Sequence, residues 1–177
     1  MNYRIKQMLG DETTHRYILP SEGDNPLVVI GVNPSTANET EPDPTVRKVM
    51  GFAEQNGFDS FIMLNVYPQR STDFCGVPQI RNEDLHQKHL LEVKTFLSEY
   101  KELHVLVSFG TLITQRSYLL DCFQDIVDML QHNGRKVHWC QIGALTKDGH
   151  PRHPLYARYD WGLQTFDVNR YLEKRKM

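Results

Sequence analysis

Two histidines stand three residues apart in Gly143-Ala-Leu-Thr-Lys-Asp-Gly-His-Pro-Arg-His-Pro-Leu-Tyr156, and each is followed by a proline. Imidazole is the side chain best suited to hold or move a proton near neutral pH. Proline fixes its own φ and pushes the preceding residue into extended backbone, so His150-Pro151 and His153-Pro154 stiffen the loop that carries them. A surface loop whose histidines only cap backbone groups is the alternative; two of them after Gly149 favour a shaped polar site. A second stretch with chemical potential is Leu27-Val-Val-Ile-Gly-Val-Asn-Pro-Ser-Thr-Ala-Asn38, an apolar run that stops at Gly31 and opens into Asn33, Pro34, Ser35 and Thr36. An amide and two hydroxyls there can position water or hold a polar ligand, although Asn-Pro-Ser also makes ordinary turns. Ser35 as a nucleophile with His153 as its base can be drawn, but Ser35 follows a proline and lacks the Gly-x-Ser-x-Gly elbow. A metal held by Cys140, His150 and His153 can also be drawn. His-x-x-His beside prolines lacks the helical spacing of zinc hydrolase motifs, and no metal or other cofactor is expected.

These loops need elements to position them. The run from Leu27 has the uninterrupted apolar character of a parallel strand buried on both faces. Asp43-Pro44 supplies an N-cap and a proline at the first helical position, and Val46, Val49, Met50 and Ala53 then share one helical face until Asn56-Gly57. Phe61 to Val66 is a second strand and ends in Asn65, Tyr67 and Arg70. A helix starting near Asn82 carries Leu85, His89, Val93, Phe96, Leu97 and Tyr100 on one stripe, with His89 at the core edge. Leu103 to Phe109 is a third strand that ends at Gly110. One helix is expected from Thr111 toward Leu120 and another over Phe123 to His132; Val137 to Ile142 is a fourth strand. Residues 1 to 26 form a lead-in with a short strand at Tyr17-Ile18-Leu19. Four strands separated by helices imply an α/β domain over residues 1 to 177, a sandwich with a central, mostly parallel four-stranded sheet and helices on both faces. Asn33 to Thr36, Asn65 to Arg70, Phe109-Gly110 and Thr146 to Tyr156 all follow strand carboxyl ends, where open α/β sheets bind ligands.

The chain has 177 residues, of which 40% are hydrophobic and 24% charged, which suits one domain with a substantial core. Its net charge of -2 supplies no global field for duplex nucleic acid, though a local basic patch would escape that count. No window has the roughly eighteen consecutive apolar residues of a membrane span, and Met1-Asn-Tyr-Arg-Ile-Lys lacks a signal-peptide core. A soluble, cytoplasmic protein without a membrane partner is expected. Cys75, Cys122 and Cys140 match neither a disulfide framework nor paired zinc spacing and read as small core or loop residues. Glu173-Lys-Arg-Lys176 reads as a solvated helix end.

The order of these motifs resembles the uracil-DNA glycosylase superfamily: Gly31-Val-Asn-Pro-Ser35 after the first strand, Leu64-Asn65 at the second, Ser108-Phe-Gly110 at the third and a His-Pro loop after the fourth. In the mismatch-specific branch the first motif reads Gly-Ile-Asn-Pro-Gly, and its Asn positions water. That resemblance implies a three-layer glycosylase-like fold, the water-positioning role for Asn33, an imidazole from His150 or His153 on the base carbonyl, and Leu155 as an apolar wedge. The chain is also similar, over most of its length, to the bacterial and phage family numbered 1643 among the domains of unknown function. The shared pattern is Asn33 to Ala37, Asp43 to Thr45, Asn65 to Arg70 and Thr146 to Tyr156.

N-glycosidic cleavage needs a water-positioning group on one side of the sugar and hydrogen-bond donors on the departing base. A base in DNA must also be flipped and stacked. Tyr67, Phe109 and Tyr156 are the candidate stacking rings, and Arg70, Lys147 and Arg152 the candidate phosphate partners. The expected function is therefore nucleobase recognition, with N-glycosidic hydrolysis on a base in DNA or on a nucleotide. The alternative is a binding module for a nucleotide or phosphorylated ligand in the same cleft, with Ser35, Thr36 and a helix N-terminus on the anion. A plain interaction scaffold is a third reading.

Overall fold

The computed structural model describes residues 1–73 and 76–175; Cys75 and Lys176 lie outside the described residues. The chain runs through β1 (Leu9–Gly10), β2 (Arg16–Pro20), β3 (Pro26–Gly31), α1 (Pro44–Gln55), β4 (Ser60–Asn65), α2 (Glu83–Phe96), β5 (Glu102–Val107), α3 (Leu119–Gln131), β6 (Lys136–Ile142), β7 (Leu163–Thr165) and α4 (Val168–Glu173). All seven strands join one mixed sheet in the order β1-β2-β4-β3-β5-β6-β7. The inner strands β4, β3, β5 and β6 are parallel, and β1, β2 and β7 run antiparallel to their neighbours.

The α/β class stands, but the four-stranded sheet does not. Tyr17-Ile18-Leu19 belongs to a five-residue buried strand that covers the free edge of β4 through Leu19 and Pro20. At the other margin Leu163–Thr165 pairs with Cys140 to Ile142 of β6. This segment has no apolar run to announce it; its place comes from the backbone groups it satisfies along an open edge. The helix expected from Thr111 to Leu120 is also corrected. Gly110–Thr114 is a single 3-10 turn anchored by Ile113, and α3 begins at Leu119. Leu119, Cys122, Phe123, Ile126, Val127 and Leu130 make one continuous buried stripe, so packing selects one helix where two segments were expected.

Strand alternation divides the core in two. Val28 and Ile30 face α2, α3 and α4 with Val93, Phe123, Ile126 and Tyr171, whereas Leu27 and Val29 face α1 with Val46, Val49, Phe52 and Ala53. Both helix starts follow the sequence: Asp43 Oδ1 accepts from Val46 N at 2.8 Å, and Asn82 Oδ1 from Leu85 N at 3.0 Å. The chain leaves β3 toward β4 on one side and β5 toward β6 on the other, so a crevice must open between the carboxyl ends of β3 and β5. No helix among the described residues is long and apolar enough to cross a membrane.

His89 lies in the core rather than at its edge. Its Nε2–H donates to Asn65 O at 2.7 Å and ties α2 to the last residue of β4. Burial holds its pKa down to about 4, from an ordinary 6.5. The folded protein therefore binds fewer protons here than the unfolded chain between those values, and stability falls as pH drops through that window. Urea midpoints measured from pH 7 to pH 4 should decline. A His89→Gln variant, which keeps an amide donor and cannot titrate, should lose a share of that slope on the order of 3 kcal/mol; equal slopes would remove His89 as the cause.

Candidate functional site

The crevice is real and polar. A cavity of about 270 Å³ is lined by residues that include Arg16, Val32, Asn33, Ser35, Asp43, Thr45, Met63, Asn65, Leu112, His153 and Leu155. That volume is at the small end for ligand sites, of a size with a single ring system.

Each polar group on its wall has a fixed orientation. Asn33 follows β3, and its Nδ2 donates to Pro34 O at 3.2 Å and Ser71 O at 3.1 Å, which leaves Oδ1 as the free acceptor. Asn65 ends β4, is buried, and accepts from Arg16 Nη2 on Oδ1 at 3.1 Å, which leaves Nδ2 as a donor. A Cβ at Gly31 would stand 2.9 Å from Met63 Cε and 3.0 Å from that same Nδ2, so a side chain there would displace the floor of the cavity. Asp43 caps α1 with Oδ1, and Oδ2 has no hydrogen-bond partner among the described residues.

The two histidines separate. His150 is 2% exposed; its Nδ1 meets Tyr171 OH at 2.9 Å, and its backbone N donates to Thr146 Oγ1 at 3.0 Å. It braces the loop from behind. His153 lines the crevice, and its Nδ1 accepts from Leu155 N at 3.3 Å, so the neutral ring carries its proton on Nε2. Burial lowers its pKa, with the Asp43 carboxylate opposing in part, and the neutral form prevails at pH 7. Gly110 N donates to Pro151 O at 3.0 Å and clamps the His-Pro loop onto the end of β5. Gly110 has φ +63°, and a Cβ would sit 3.2 Å from His153 Cβ, so only glycine lets the two loops approach this closely.

The other expected contacts fall into two groups. Ser35 and Leu155 line the cavity with Asn33, Asn65 and His153. Phe109, Gly110, Arg152 and Tyr156 line an adjoining apolar groove of about 310 Å³ that shares Leu112 and His153. Pro34, Thr36, Arg70, Lys147 and His150 are not on these walls. Arg70 is committed to the loop itself, donating from Nη1 to Ser35 O at 2.6 Å and Ala37 O at 3.1 Å and from Nε to Asp11 O at 3.0 Å. Arg152 donates from Nε to Ala144 O at 2.8 Å and lies over the Trp161 ring. Among the candidate stacking rings, Tyr67 is buried with its OH accepting from Asn82 N, and Phe109 packs on Phe123 and Tyr171. Tyr156 alone stands at the lip, 81% exposed.

A family model described as protein of unknown function DUF1643 matches residues 16–155. The chain belongs to this family. The matched segment begins at Arg16 and ends at Leu155, so every cavity-lining residue of this DUF1643 protein falls inside it. No curated protein matches the chain.

Arg16 and Asp43 are the site residues that sequence reasoning missed. Asp43 was legible only as a cap, and Arg16 stood in a segment read as a lead-in. The Arg16 guanidinium is almost wholly buried, donating from Nη1 to Ala37 O at 3.0 Å and from Nη2 to Asn65. Burial pulls its pKa down to about 10, so the charge persists at neutral pH. A lysine has one nitrogen and cannot span both acceptors with a planar fork. Arg16→Lys should lower unfolding stability by about 1–3 kcal/mol in urea titrations and shift the Asn65 side-chain amide resonance. An unmoved amide signal would mean that Arg16 does not orient Asn65.

Proposed function

We propose that this DUF1643 protein is a uracil-DNA glycosylase-like, three-layer protein that recognises a nucleobase in the Asn33/Asn65/His153 cavity and hydrolyses its N-glycosidic bond. The observation that carries this reading is the fixed set of hydrogen-bonding atoms in so small a cavity. Asn65 Nδ2 and His153 Nε2–H are donors to base carbonyl oxygens, and Asn33 Oδ1 is an acceptor for water or a ring N–H. Apolar Val32, Met63 and Leu112 exclude bulk water between them, which strengthens each contact.

In the proposed reaction the C1′–N bond breaks and its electron pair leaves with the base. Nε2–H of His153 stabilises the developing negative charge on the base carbonyl. Water held by Asn33 Oδ1 adds to C1′. An amide cannot take the proton that water releases, and Asp43 is the carboxylate on the cavity wall; it serves as the general base in this reading. Tyr156 and Leu155 at the lip would meet the strand from which the base is drawn.

Phosphate at the α1 N-terminus is disfavoured. That terminus is already capped by the Asp43 carboxylate, and Pro44 offers no N–H. A binding module would therefore hold an uncharged ring rather than a phosphorylated group.

The test incubates the protein with labelled DNA carrying uracil, mismatched thymine or deaminated purines, and with a nucleotide panel, and scores released base and abasic sites. Wild type should release base. Asp43→Asn retains a good helix cap, so it should fold normally and lose on the order of 10²-fold or more in rate; Asn33→Ala and His153→Ala should fall likewise. Ligand-dependent thermal stabilisation without any release would replace hydrolysis by binding alone.

A further inference from the structure

The end of the sheet remote from the cavity carries a second constellation. β5 and β6 are paired in parallel with Glu102 opposite Lys136 and His104 opposite His138. Side chains two residues apart on a strand share a face, so all four project on the side that α1 covers farther along the sheet. α1 ends at Gln55; beyond it the Phe58 ring meets His104 edge-on, at 5.4 Å between centroids, and the remaining margin is open. On that margin the His104 and His138 rings stack at 4.5 Å with 11° between planes, and Glu102 Oε1 lies 2.5 Å from His138 Nε2. One ligand atom from each of Glu102, His104 and His138 lies within 4.8 Å of the other two, the one such grouping among the described residues.

We infer that Glu102, His104 and His138 form a binding site for a divalent transition-metal ion of the zinc class. Two imidazoles and a carboxylate are borderline ligands that suit Zn²⁺, Co²⁺ or Ni²⁺ rather than Mg²⁺ or Ca²⁺, and three protein ligands leave a position for water. Tetrahedral zinc at its usual bond lengths needs about 3.3 Å between ligand atoms, so the site closes by about 1.5 Å at most. Rotation of exposed side chains supplies that movement. The competitor is Lys136, whose Nζ lies 2.9 Å from Glu102 Oε1 with 65% of its side chain exposed. Such a surface ion pair is worth little and yields to a metal. The site also has a mechanical consequence. β7 pairs only with Cys140 to Ile142, so the Lys136 to His138 half of β6 is an outer edge, and a bound ion would pin it to β5.

The experiment titrates Co²⁺ and Zn²⁺ into chelator-treated, tag-free full-length protein and follows Co²⁺ d–d absorption, calorimetric stoichiometry and melting temperature. One ion per chain is expected, with a tetrahedral cobalt spectrum and a melting temperature that rises with metal concentration. His104→Ala and His138→Ala should each weaken binding at least about tenfold, the loss that even an outer partner's removal causes. Lys136→Ala should tighten it. Circular dichroism checks that each variant folds, and Glu102→Gln, which keeps a hydrogen-bonding side chain, serves as a third ligand deletion. Absence of wild-type binding at millimolar metal, or binding that survives both histidine deletions, overturns the site. Base release plays no part in this readout, so the outcome is independent of the cavity's function.

Discussion

One buried guanidinium organises the cavity. Arg16 rises from β2, between β1 and β4, and bridges Asn65 Oδ1 and Ala37 O, the side chain at one wall and the backbone of the loop that follows β3. Burying a cation is costly, and the cost is met only where hydrogen bonds and nearby charge compensate. Here the compensation is incomplete: Nε of Arg16 has no hydrogen-bond partner among the described residues, and the Arg70 charge opposes it while the Asp43 carboxylate supports it. A hydrophobic side chain would fill that volume at lower cost. The arrangement is better explained by what it orients than by what it stabilises, because it fixes the Asn65 amide with Oδ1 on the guanidinium.

Arg70 extends the same logic to the loop. Two guanidiniums donate to Ala37 O, and Arg70 also holds Ser35 O, so a segment without regular secondary structure is fixed by charge-assisted bonds. The His-Pro loop is fixed from the opposite side by other means. Gly110 N to Pro151 O ties it to β5, and His150 to Tyr171 OH ties it to α4. With both loops anchored to the sheet, the cavity is preformed. His150 and His153 thus separate where the sequence left them alike: one braces the loop and the other lines the cavity.

What the sequence disclosed and what it hid have physical causes. Apolar runs, the Asp43-Pro44 cap and the stiff turns after strands are local signals, and they located β3 to β6, α1 and the loops of the cavity. The antiparallel strands that flank the parallel core answer to a neighbour's unpaired backbone instead, and so β7 and the full extent of β2 were invisible. Arg16 beside Tyr17-Ile18-Leu19 looked like the polar end of a lead-in because its burial depends on Asn65, 49 residues away. Arg70 carried the opposite error. Its position after a strand suggested a phosphate partner, whereas Nε and Nη1 donate to carbonyl oxygens and Nη2 to the Met8 sulfur. His104 and His138 are separated by a helix in sequence, and only the register of β5 on β6 makes them neighbours.

The chemistry of the cavity turns on its imbalance of proton acceptors. Asn33 presents an oxygen that can orient water and cannot accept its proton, while His153 is held neutral with its proton on Nε2. Neither can deprotonate a nucleophile without first changing state. Among the wall residues that leaves Asp43, whose Oδ1 is fixed by the helix cap and whose Oδ2 has no hydrogen-bond partner among the described residues. The same carboxylate that starts α1 is thereby set at a defined distance from the sheet, since the cap bond, Pro44 and the packing of Val46 and Val49 all constrain it. A carboxylate anchored in this way has little conformational freedom left to lose. Among the described residues the wall thus carries one carboxylate, Asp43, beside an amide and an imidazole that cannot take a proton as they stand.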